Sequence, residues 1–577
     1  MAQEVGKLSP VQRFIRLLSN DKKDLAYIYV FAILNGLVNL SLPLGVQAII
    51  GFILTGSVST SWLVLVTIVL IGIALTGVLQ ILQLSILEKM QQRMFARASL
   101  EFAYRIPRIK QESIRKYDPT ELMNRFFDIL TVQKGLPKVL LDFSTSILNI
   151  IFGLILLSFY HPFFVFFGLV MLFLLLTIFY FTVPKGLQTS IKESSQKYKS
   201  VYWLEEVARS LATFKMAGKT DLALKRSDKL SSDYLKARKA HFRILLWQFA
   251  QSVTFKTVIT GGLLILGGLL VMQREINIGQ FVAGEIIIII IINAVEKIIL
   301  SLETIYDLLT GVEKLGQVMD LELEQRTDSN SFELSTCSCV SIHAKDLRLV
   351  LPPYKEPLIS GVDLEIKSGE KVCISGVSGS GKTALLHVLG SMYTDFQGVL
   401  AYDGMPIASL DIESLRFVIG DNFNQESLFS ATLEENITLD RAGITKEDLK
   451  QAISISGLSD MVLNLPEGAL TVMDPVNRNL PLSLIKRIFL ARSIVHRPSL
   501  LLLDDLSDLA DLPDFKRIIN YVTSPDRTWT LVLVSNDPVV AQSCERIIVL
   551  NKGRVMTSGS YDEIIHQEGV AHIFGQS

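Results

Sequence analysis

The chain has 577 residues, more than one domain usually holds, which predicts two or three domains. Its apolar fraction of 49% is high for a soluble protein, while 56 basic and 57 acidic side chains nearly cancel, so the charge gives no sign of a nucleic-acid partner. The cysteines form neither a Cys-x-x-Cys pair nor a Cys/His cluster, which argues against a zinc site and a disulfide framework.

A short amphipathic segment precedes the first long apolar run. Apolar side chains between Leu8 and Leu18 recur at helical spacing, with Arg13 and Arg16 between them. We predict that residues 1–20 form a short helix in the membrane interface. The alternative, a soluble N-terminal helix, is disfavoured because the apolar run follows so soon.

Six stretches in the first 300 residues are long and apolar enough to span the hydrocarbon core of a bilayer, which takes about 20 helical residues. They run approximately over Leu25–Leu54, Trp62–Leu87, Val139–Tyr160, Phe163–Val183, Ile244–Met272 and Phe281–Leu302. A buried core helix could explain any one of them but not all six. Residues 21–318 are therefore predicted to form a six-helix transmembrane domain.

The loops predict the orientation of these spans. The segments after the second and fourth spans are long and rich in Lys and Arg, whereas the other connections are short and nearly free of basic residues. By the positive-inside rule, the basic loops and both termini are cytoplasmic. The chain is thus predicted to be an integral membrane protein whose spanning helices extend into the cytoplasm.

Several polar side chains lie in or near the spans. Lys256 and Asn293 are candidates for lining a substrate pathway, because charge within a membrane is costly and often functional. Glu285 and Lys297 lie near the ends of the last span. They either line such a pathway or extend to the interface along their apolar stems, and the sequence leaves both readings open.

Composition changes after the last span. Residues 319–338 are polar and read as a linker, and residues 339–577 alternate strands with helices, as in an α/β domain. There a strand ends in Gly-x-x-x-x-Gly-Lys-Thr and opens into an apolar-periodic helix, the context of a phosphate-binding loop. The residues predicted to hold nucleotide phosphates are Gly376, Ser378, Gly379, Ser380, Gly381, Lys382, Thr383 and Ala384.

The chemistry of this loop follows from its residue types. Glycines allow backbone N–H groups to converge on a phosphate, and the helix N-terminus adds its positive end. Lys382 is expected to reach the β- and γ-phosphates, and the Thr383 hydroxyl to bind Mg²⁺. Further on, a buried apolar strand ends in Asp504 and Asp505. We expect Asp504 to orient Mg²⁺ and Asp505 to polarise the attacking water.

With these motifs the chain resembles ABC exporters of the type I secretion, peptide and lipid-exporter group, over nearly its whole length. Residues 113–126 and 205–218 are similar to the family's two cytoplasmic loops, and residues 428–437 and 547–559 to stretches of its ATPase domain. The resemblance implies a membrane α-helical domain followed by an α/β P-loop ATPase domain. It also implies a dimer in which one subunit supplies the phosphate loop and the other a Leu-Ser-Gly-Gly-Gln signature.

The signature position departs from the family pattern. The alignment places Leu480-Pro481-Leu482-Ser483-Leu484 there, with Ser483 as the remaining phosphate-facing hydroxyl. Pro481 has neither a hydroxyl nor a backbone N–H, and Leu482 adds bulk where glycine would allow close approach. This segment is predicted to be a poor phosphate clamp.

Two catalytic positions are also altered. Asp505 stands where the family has a catalytic Glu, so its carboxylate lies about 1.5 Å further back. Asn536 replaces the switch histidine and can hydrogen-bond a phosphate oxygen but cannot become a cation. Because in-line attack needs both water positioning and charge stabilisation, we predict slow hydrolysis.

Two further positions of the resemblance are less regular. The glutamine loop aligns on Asn424, with Gln425 one place along as a substitute. The adenine-stacking aromatic aligns on Leu351, and Tyr354 is near enough in sequence to replace it. All four are candidate site residues.

The resulting hypothesis is the ATP-binding and permease subunit of an exporter for a peptide, a protein or a lipid, with ATP and Mg²⁺ as cofactors. The expected location is a bacterial inner membrane, with the ATPase domain in the cytoplasm. Expected partners are membrane lipid, a second ABC half in a homo- or heterodimer, and a periplasmic adaptor protein. The alternative is a catalytically weak regulatory half that pairs with an active one.

Overall fold

The computed structural model describes residues 8–54, 60–114, 117, 119–160, 162–324, 339–351, 356–423, 427–473, 480–509, 513–567 and 569–575. The chain folds into two compact units. The membrane unit comprises Met1–Pro107 and Tyr117–Leu321, and the α/β unit comprises Arg108–Lys116 and Glu322–Ser577.

The described residues up to Leu321 are mostly helical, because apolar side chains dominate them and a helix satisfies its own backbone hydrogen bonds. The helices are α1 (Pro10–Leu18), α2 (Lys22–Asn39), α3 (Ser41–Leu54), α4 (Thr60–Arg105), α5 (Gln111–Ile114), α6 (Pro119–Asn124), α7 (Asp128–Pro137), α8 (Ser144–Ser158), α9 (Pro162–Arg209), α10 (Leu211–Met216), α11 (Leu222–Gly262), α12 (Gly268–Met272) and α13 (Ile278–Met319). Of these, α5 belongs to the α/β unit.

Within the described residues, six helical segments are long and apolar enough to cross a membrane. They include α4, α9, α11 and α13, each of which extends well beyond the length that spans the hydrocarbon core. The prediction of six spans with long helical extensions is confirmed.

Prolines interrupt two of the predicted spans. The first is split between α2 and α3 at Leu40, three residues before Pro43, whose ring nitrogen cannot donate to the preceding turn. In the third, a π-helical turn over Lys138–Phe143 follows Pro137. Neither break was predicted from the apolar runs, because hydropathy does not register a missing backbone donor.

Two of the intramembrane candidates are in ion pairs. The ammonium of Lys256 lies 3.2 Å from Glu296, and that of Lys297 lies 2.8 Å from Asp142. Asn293 is exposed on α13. A pathway role for Lys256, Asn293 and Glu285 stays a prediction.

The α/β unit alternates strands and helices, as predicted. Its strands are β1 (Ile342–Leu349), β2 (Ile359–Ile366), β3 (Lys371–Gly376), β4 (Gln397–Tyr402), β5 (Met405–Pro406), β6 (Ile419–Asn422), β7 (Ala431–Thr432), β8 (Val472–Met473), β9 (Leu500–Leu503), β10 (Thr530–Val534), β11 (Arg546–Asn551) and β12 (Arg554–Gly559). Its remaining helices are α14 (Lys382–Leu389), α15 (Ile412–Phe417), α16 (Leu433–Thr438), α17 (Lys446–Ile455), α18 (Ser459–Asn464), α19 (Leu482–Ile494), α20 (Phe515–Thr523), α21 (Pro538–Gln542) and α22 (Tyr561–Ile564).

The principal sheet of this unit has the order β12-β11-β3-β10-β9-β6, and β11, β3, β10, β9 and β6 are parallel. Strands β3, β9 and β10 are buried along their whole length, as expected when helices cover both faces of a parallel sheet. Val372 and Ile374 pack into the core on one face, and Cys373 into that on the other. A second, antiparallel sheet has the order β2-β1-β4-β5.

The segment Arg108–Lys116, from the first cytoplasmic loop, forms part of the α/β unit. Ile109 forms an antiparallel bridge with Leu323. A carboxylate oxygen of Glu112 accepts hydrogen bonds from the backbone N–H groups of Thr394 (2.9 Å) and Asp395 (3.1 Å). These interactions tie the loop into the α/β unit through backbone and side-chain groups.

Candidate nucleotide site

The site lies at one edge of the principal sheet. The parallel strands β3, β9 and β10 are neighbours, so their carboxyl ends meet at the same edge. They deliver Gly376 from β3, Asp504 just after β9, and Asn536 two residues after β10. Three motifs that lie far apart in the sequence are therefore brought together.

The phosphate loop owes its shape to glycines. Gly379 and Gly381 have φ values of +79° and +100°, which side chains with a Cβ rarely adopt. At Gly376 (φ +152°) a Cβ would collide with the carbonyl oxygen of Leu550, and at Gly381 it would lie 2.5 Å from that of Leu358. The tight turn leads directly into α14, whose first residue is Lys382.

The Lys382 ammonium folds back over the loop. It donates to the carbonyl oxygens of Gly376 (2.7 Å) and Val377 (3.0 Å). Burial lowers the pKa of Lys382, and the negative charges of Asp504 and Asp505 oppose this only in part. A bound phosphate would offset the cost of burying the ammonium charge. Its oxygens would also accept the hydrogen bonds that the two carbonyl oxygens accept here.

The metal-directed residues predicted from the sequence lie side by side. The Thr383 hydroxyl lies 3.3 and 3.4 Å from the two carboxylate oxygens of Asp504. Asp504 is 1% exposed and also accepts a hydrogen bond from the N–H of Asp505 at 3.1 Å. The Asp505 carboxylate in turn accepts from the N–H of Ser507 at 3.0 Å, which turns it toward its own loop.

Asn536 contacts the phosphate loop directly. Its Nδ2 donates to the carbonyl of Gly376 (3.0 Å), and its Oδ1 accepts from the Gly376 N–H (3.1 Å). The preceding Ser535 accepts a hydrogen bond at its carbonyl from the Ser375 hydroxyl (2.6 Å). The motifs did not identify Ser375 and Ser535, although their positions at the ends of adjacent parallel strands could have done so.

The remaining loop residues occupy distinct environments. The backbone oxygen of Ser380 accepts from the Gly553 N–H (2.9 Å), and its hydroxyl is buried without a hydrogen-bond partner among the described residues. Ser378 is exposed, and Ala384 is half-buried in the first turn of α14. The Ser380 hydroxyl is therefore a donor that a ligand could use.

The segment aligned with the signature begins α19. Pro481 is the N-cap, and no side-chain hydrogen bond from a described residue caps the helix there. Its carbonyl accepts from the N–H of Leu484 at 3.0 Å, Leu482 is exposed, and Ser483 is half-buried in the first turn. The signature positions thus carry an apolar helix start.

Of the four remaining candidates, the structure describes Leu351 alone. Leu351 is 2% exposed and packs in the core of the α/β unit. Asn424, Gln425 and Tyr354 lie outside the described residues. Their roles, and that of Leu351, stay predictions.

Two family models match the chain. The model described as the ABC transporter transmembrane region matches residues 25–295, and the one described as ABC transporter matches residues 359–507. The first lies within the membrane unit, and the second contains the phosphate loop and the acidic pair.

Named relatives match more than half of this chain. It is 25% identical over 352 residues to the transport/processing ATP-binding protein ComA of Streptococcus pneumoniae, covering 60% of this chain and 48% of ComA. It is 26% identical over 304 residues to the leukotoxin export ATP-binding protein LtxB of Aggregatibacter actinomycetemcomitans, covering 52% of this chain and 42% of LtxB. The chain thus spans about half the length of the curated relatives it matches.

The fold is also that of a solved protein. A bacterial Atm1-family ABC exporter with ATP bound superposes with a TM-score of 0.81 at 17% sequence identity, covering 96% of this chain and 98% of the other. At this identity the similarity concerns the fold alone. In this fold the transmembrane region precedes the cytoplasmic ABC ATPase domain on one polypeptide. The two family models and this fold show that the chain is an integral membrane protein that belongs to the ABC transporters and has the ABC exporter fold.

Proposed function

We propose that the chain is the ATP-binding and permease subunit of an ABC exporter, which couples ATP binding and slow hydrolysis to export of a peptide, protein or lipid. The observation that carries this proposal is the meeting of Gly376, Asp504 and Asn536 at one sheet edge, on a chain whose described residues include six helical segments able to span a membrane. That edge offers the groups that phosphoryl transfer requires, and the helices offer a route across the bilayer.

ATP binding is expected from the loop itself. The N-terminus of α14 and the N–H groups around Gly379 form a concave, positive surface for phosphate. Lys382, which now donates to two carbonyls, would exchange them for β- and γ-phosphate oxygens. The buried Ser380 hydroxyl adds a donor that has no other partner among the described residues.

Mg²⁺ fits the residues beside the loop. The Thr383 hydroxyl and the Asp504 carboxylate are adjacent hard oxygen donors, the ligand type this ion prefers. Among the described residues, no group of three His, Cys, Asp or Glu could form an all-protein metal cage. This suits an ion that is held by one or two side chains and by substrate phosphates. When bound, Mg²⁺ would neutralise phosphate charge.

Hydrolysis is expected to be slow for reasons of reach and charge. Asp505 is bonded to Ser507 N–H and is one carbon–carbon bond shorter than glutamate, so it would hold an attacking water poorly. Asn536 would supply a neutral hydrogen bond, not a cation, to developing charge. The apolar start of α19 would add little stabilisation to a phosphate across a dimer.

We further propose that the working form is a dimer in a bacterial inner membrane. The names of ComA and LtxB refer to transport, processing and leukotoxin export, which favours peptide or protein cargo over lipid. A second ABC half, identical or different, would complete the nucleotide sites, membrane lipid would surround the spans, and a periplasmic adaptor protein is a further candidate partner.

ATP hydrolysis by the purified chain in lipid nanodiscs tests the proposal, alongside binding of a fluorescent ATP analogue. Lys382→Ala should abolish hydrolysis and weaken binding, while Lys450→Ala, which removes an exposed lysine of α17, should leave both unchanged. ATP binding without turnover by the chain alone would contradict a self-sufficient exporter and favour a regulatory half with an active partner. Absence of ATP binding would refute the proposal altogether.

A further inference from the structure

A cavity of about 630 Å³ lies within the membrane unit. Its wall includes side chains from α1, α9 and α13 and from the segment around α6, among them Arg13, Glu121, Arg125, Tyr198, Glu313 and Lys314. This volume is in the range of sites for small organic ligands, about 300–1,000 Å³. The wall is charged, unlike the apolar helix packing around it.

The acidic side chains of the wall form ion pairs with its two arginines. Arg13 lies 3.2 Å from Glu313 and 2.5 Å from Asp320, and is itself 9% exposed. Glu121 accepts a hydrogen bond from Nη2 of Arg125 at 3.1 Å, one helical turn along the chain. These ion pairs offset part of the negative charge of the wall.

Lys314 is 7% exposed. It forms no salt bridge with any carboxylate of the described residues, whereas the two arginines of the wall do. The ammonium lies 5.3 Å from the centroid of the Tyr198 ring. The Tyr198 hydroxyl is itself committed, since it donates to the buried carboxylate of Asp128 at 2.5 Å.

Arg125 is only partly satisfied. It is 5% exposed, and its Nε and Nη1 are buried without a hydrogen-bond partner among the described residues. A guanidinium offers five N–H donors in a planar fork, so the bond to Glu121 uses a small part of its capacity. Burying charged donors without acceptors is unfavourable, because the water they lose is not replaced by any other acceptor.

We propose that this cavity binds a small phosphate-bearing anion, with the Lys314 ammonium and the Arg125 guanidinium as its ligands. A phosphate monoester carries close to two negative charges and three acceptor oxygens, which matches one lysine and one forked arginine better than a single carboxylate does. The cavity is larger than phosphate alone and has room for an attached organic group. Both a soluble phosphate monoester and a phospholipid headgroup have this chemistry.

The test uses the full chain carrying Lys382→Ala, so that the phosphate loop does not capture the probe. Glycerol 3-phosphate is titrated by calorimetry into protein in neutral phosphatidylcholine nanodiscs. In a parallel arm, nanodiscs that contain phosphatidic acid are used, and retained lipid is measured by native mass spectrometry. The variants are Lys314→Met and Arg125→Gln, and the matched control is Lys192→Gln, which removes an exposed lysine of α9 outside the cavity.

Saturable glycerol 3-phosphate binding that weakens at least tenfold in Lys314→Met but not in Lys192→Gln supports the proposal with a soluble ligand. Retention of phosphatidic acid that is lost in Lys314→Met but not in Lys192→Gln supports it with a lipid headgroup. Binding of neither probe, or equal loss in Lys192→Gln, overturns it. If Arg125→Gln does not fold, Lys314→Met, which keeps most of the apolar stem, decides the outcome.

Discussion

The carboxamide of Asn536 makes two reciprocal hydrogen bonds with the backbone of Gly376, at 3.0 and 3.1 Å. The residue that stands at the switch position thus holds the first glycine of the phosphate loop through both its amide group and its carbonyl. A histidine ring could not match this pair of bonds, because its two nitrogens point in different directions. Asn536 therefore stabilises the loop in this structure.

Removing this pair of bonds should destabilise the protein. We expect Asn536→Ala to lower the free energy of unfolding by about 1–2 kcal/mol, since each bond contributes about 0.5–1.5 kcal/mol. Asn536→Asp should lower the free energy of unfolding at least as much. It keeps the hydrogen bond from the Gly376 N–H but places a carboxylate oxygen against the Gly376 carbonyl. Thermal unfolding without nucleotide checks this, with the exposed Asn551→Ala as control. An Asp variant as stable as the wild type would contradict it.

Lengthening Asp505 should speed hydrolysis. In Asp505→Glu the carboxylate advances by about 1.5 Å and no longer suits the bond to the Ser507 N–H. Because a well-placed base contributes about 10²–10⁴-fold, recovery of about tenfold in turnover is expected. Phosphate release in nanodiscs measures it. Turnover of Asp505→Asn, a side chain of the same size, should fall below that of the wild type. Unchanged turnover in Asp505→Glu with intact ATP binding would refute the reasoning.

Restoring polar groups at the start of α19 should improve ATP use by the dimer. Pro481→Ala returns a backbone N–H, and Pro481→Ser returns the N–H and a hydroxyl. Turnover should therefore rise in the order wild type, Ala, Ser. The stability of Pro481→Ser should change little, since a cap gain of about 1 kcal/mol offsets the loss of proline rigidity, about 0.4–1 kcal/mol. Pro481→Ala gains no cap, so it should lose stability by about the rigidity contribution alone. Equal turnover in all three proteins would exclude a role for this segment in phosphate contact.

His496 should make the protein sensitive to mild acid. Burial, together with the nearby Arg441 guanidinium 2.8 Å from Nδ1, lowers the pKa of His496 to about 4 from 6.5. Between these pH values the unfolded chain binds more protons than the folded one, so stability is retained above pH 6.5 and falls as pH drops toward 4. Over this interval the free energy of unfolding falls by about 3 kcal/mol.

Unfolding midpoints from pH 7 to about pH 4.5 measure this effect, since that interval covers most of the titration of the unfolded-state histidine. His496→Gln, which cannot titrate, should flatten the decline, whereas replacement of the exposed His566 by Gln should leave it unchanged. Parallel declines in the wild type and His496→Gln would show that other groups are responsible.

Much of this molecule could be predicted from the order of its residues. Runs of apolar side chains long enough to cross a bilayer identified the six spans, which the structure confirms. The Gly-x-x-x-x-Gly-Lys-Thr sequence after a strand identified the phosphate loop, because few other sequences allow the backbone of Gly379 and Gly381 at positive φ. These features depend on local chemistry, and they determined the fold class and the family.

The tertiary structure decided which distant groups meet. Asn536 was recognised as a switch residue, but its two hydrogen bonds with Gly376 follow from the parallel pairing of β3 with β10. Leu351 was aligned with a stacking residue, yet it is buried, because burial depends on the neighbouring strands and not on its sequence position. Lys314 and Arg125 line the same cavity, and no sequence motif indicated that they would lie there. Side-chain partners that lie far apart in sequence are set by packing, and periodicity and local motifs do not encode them.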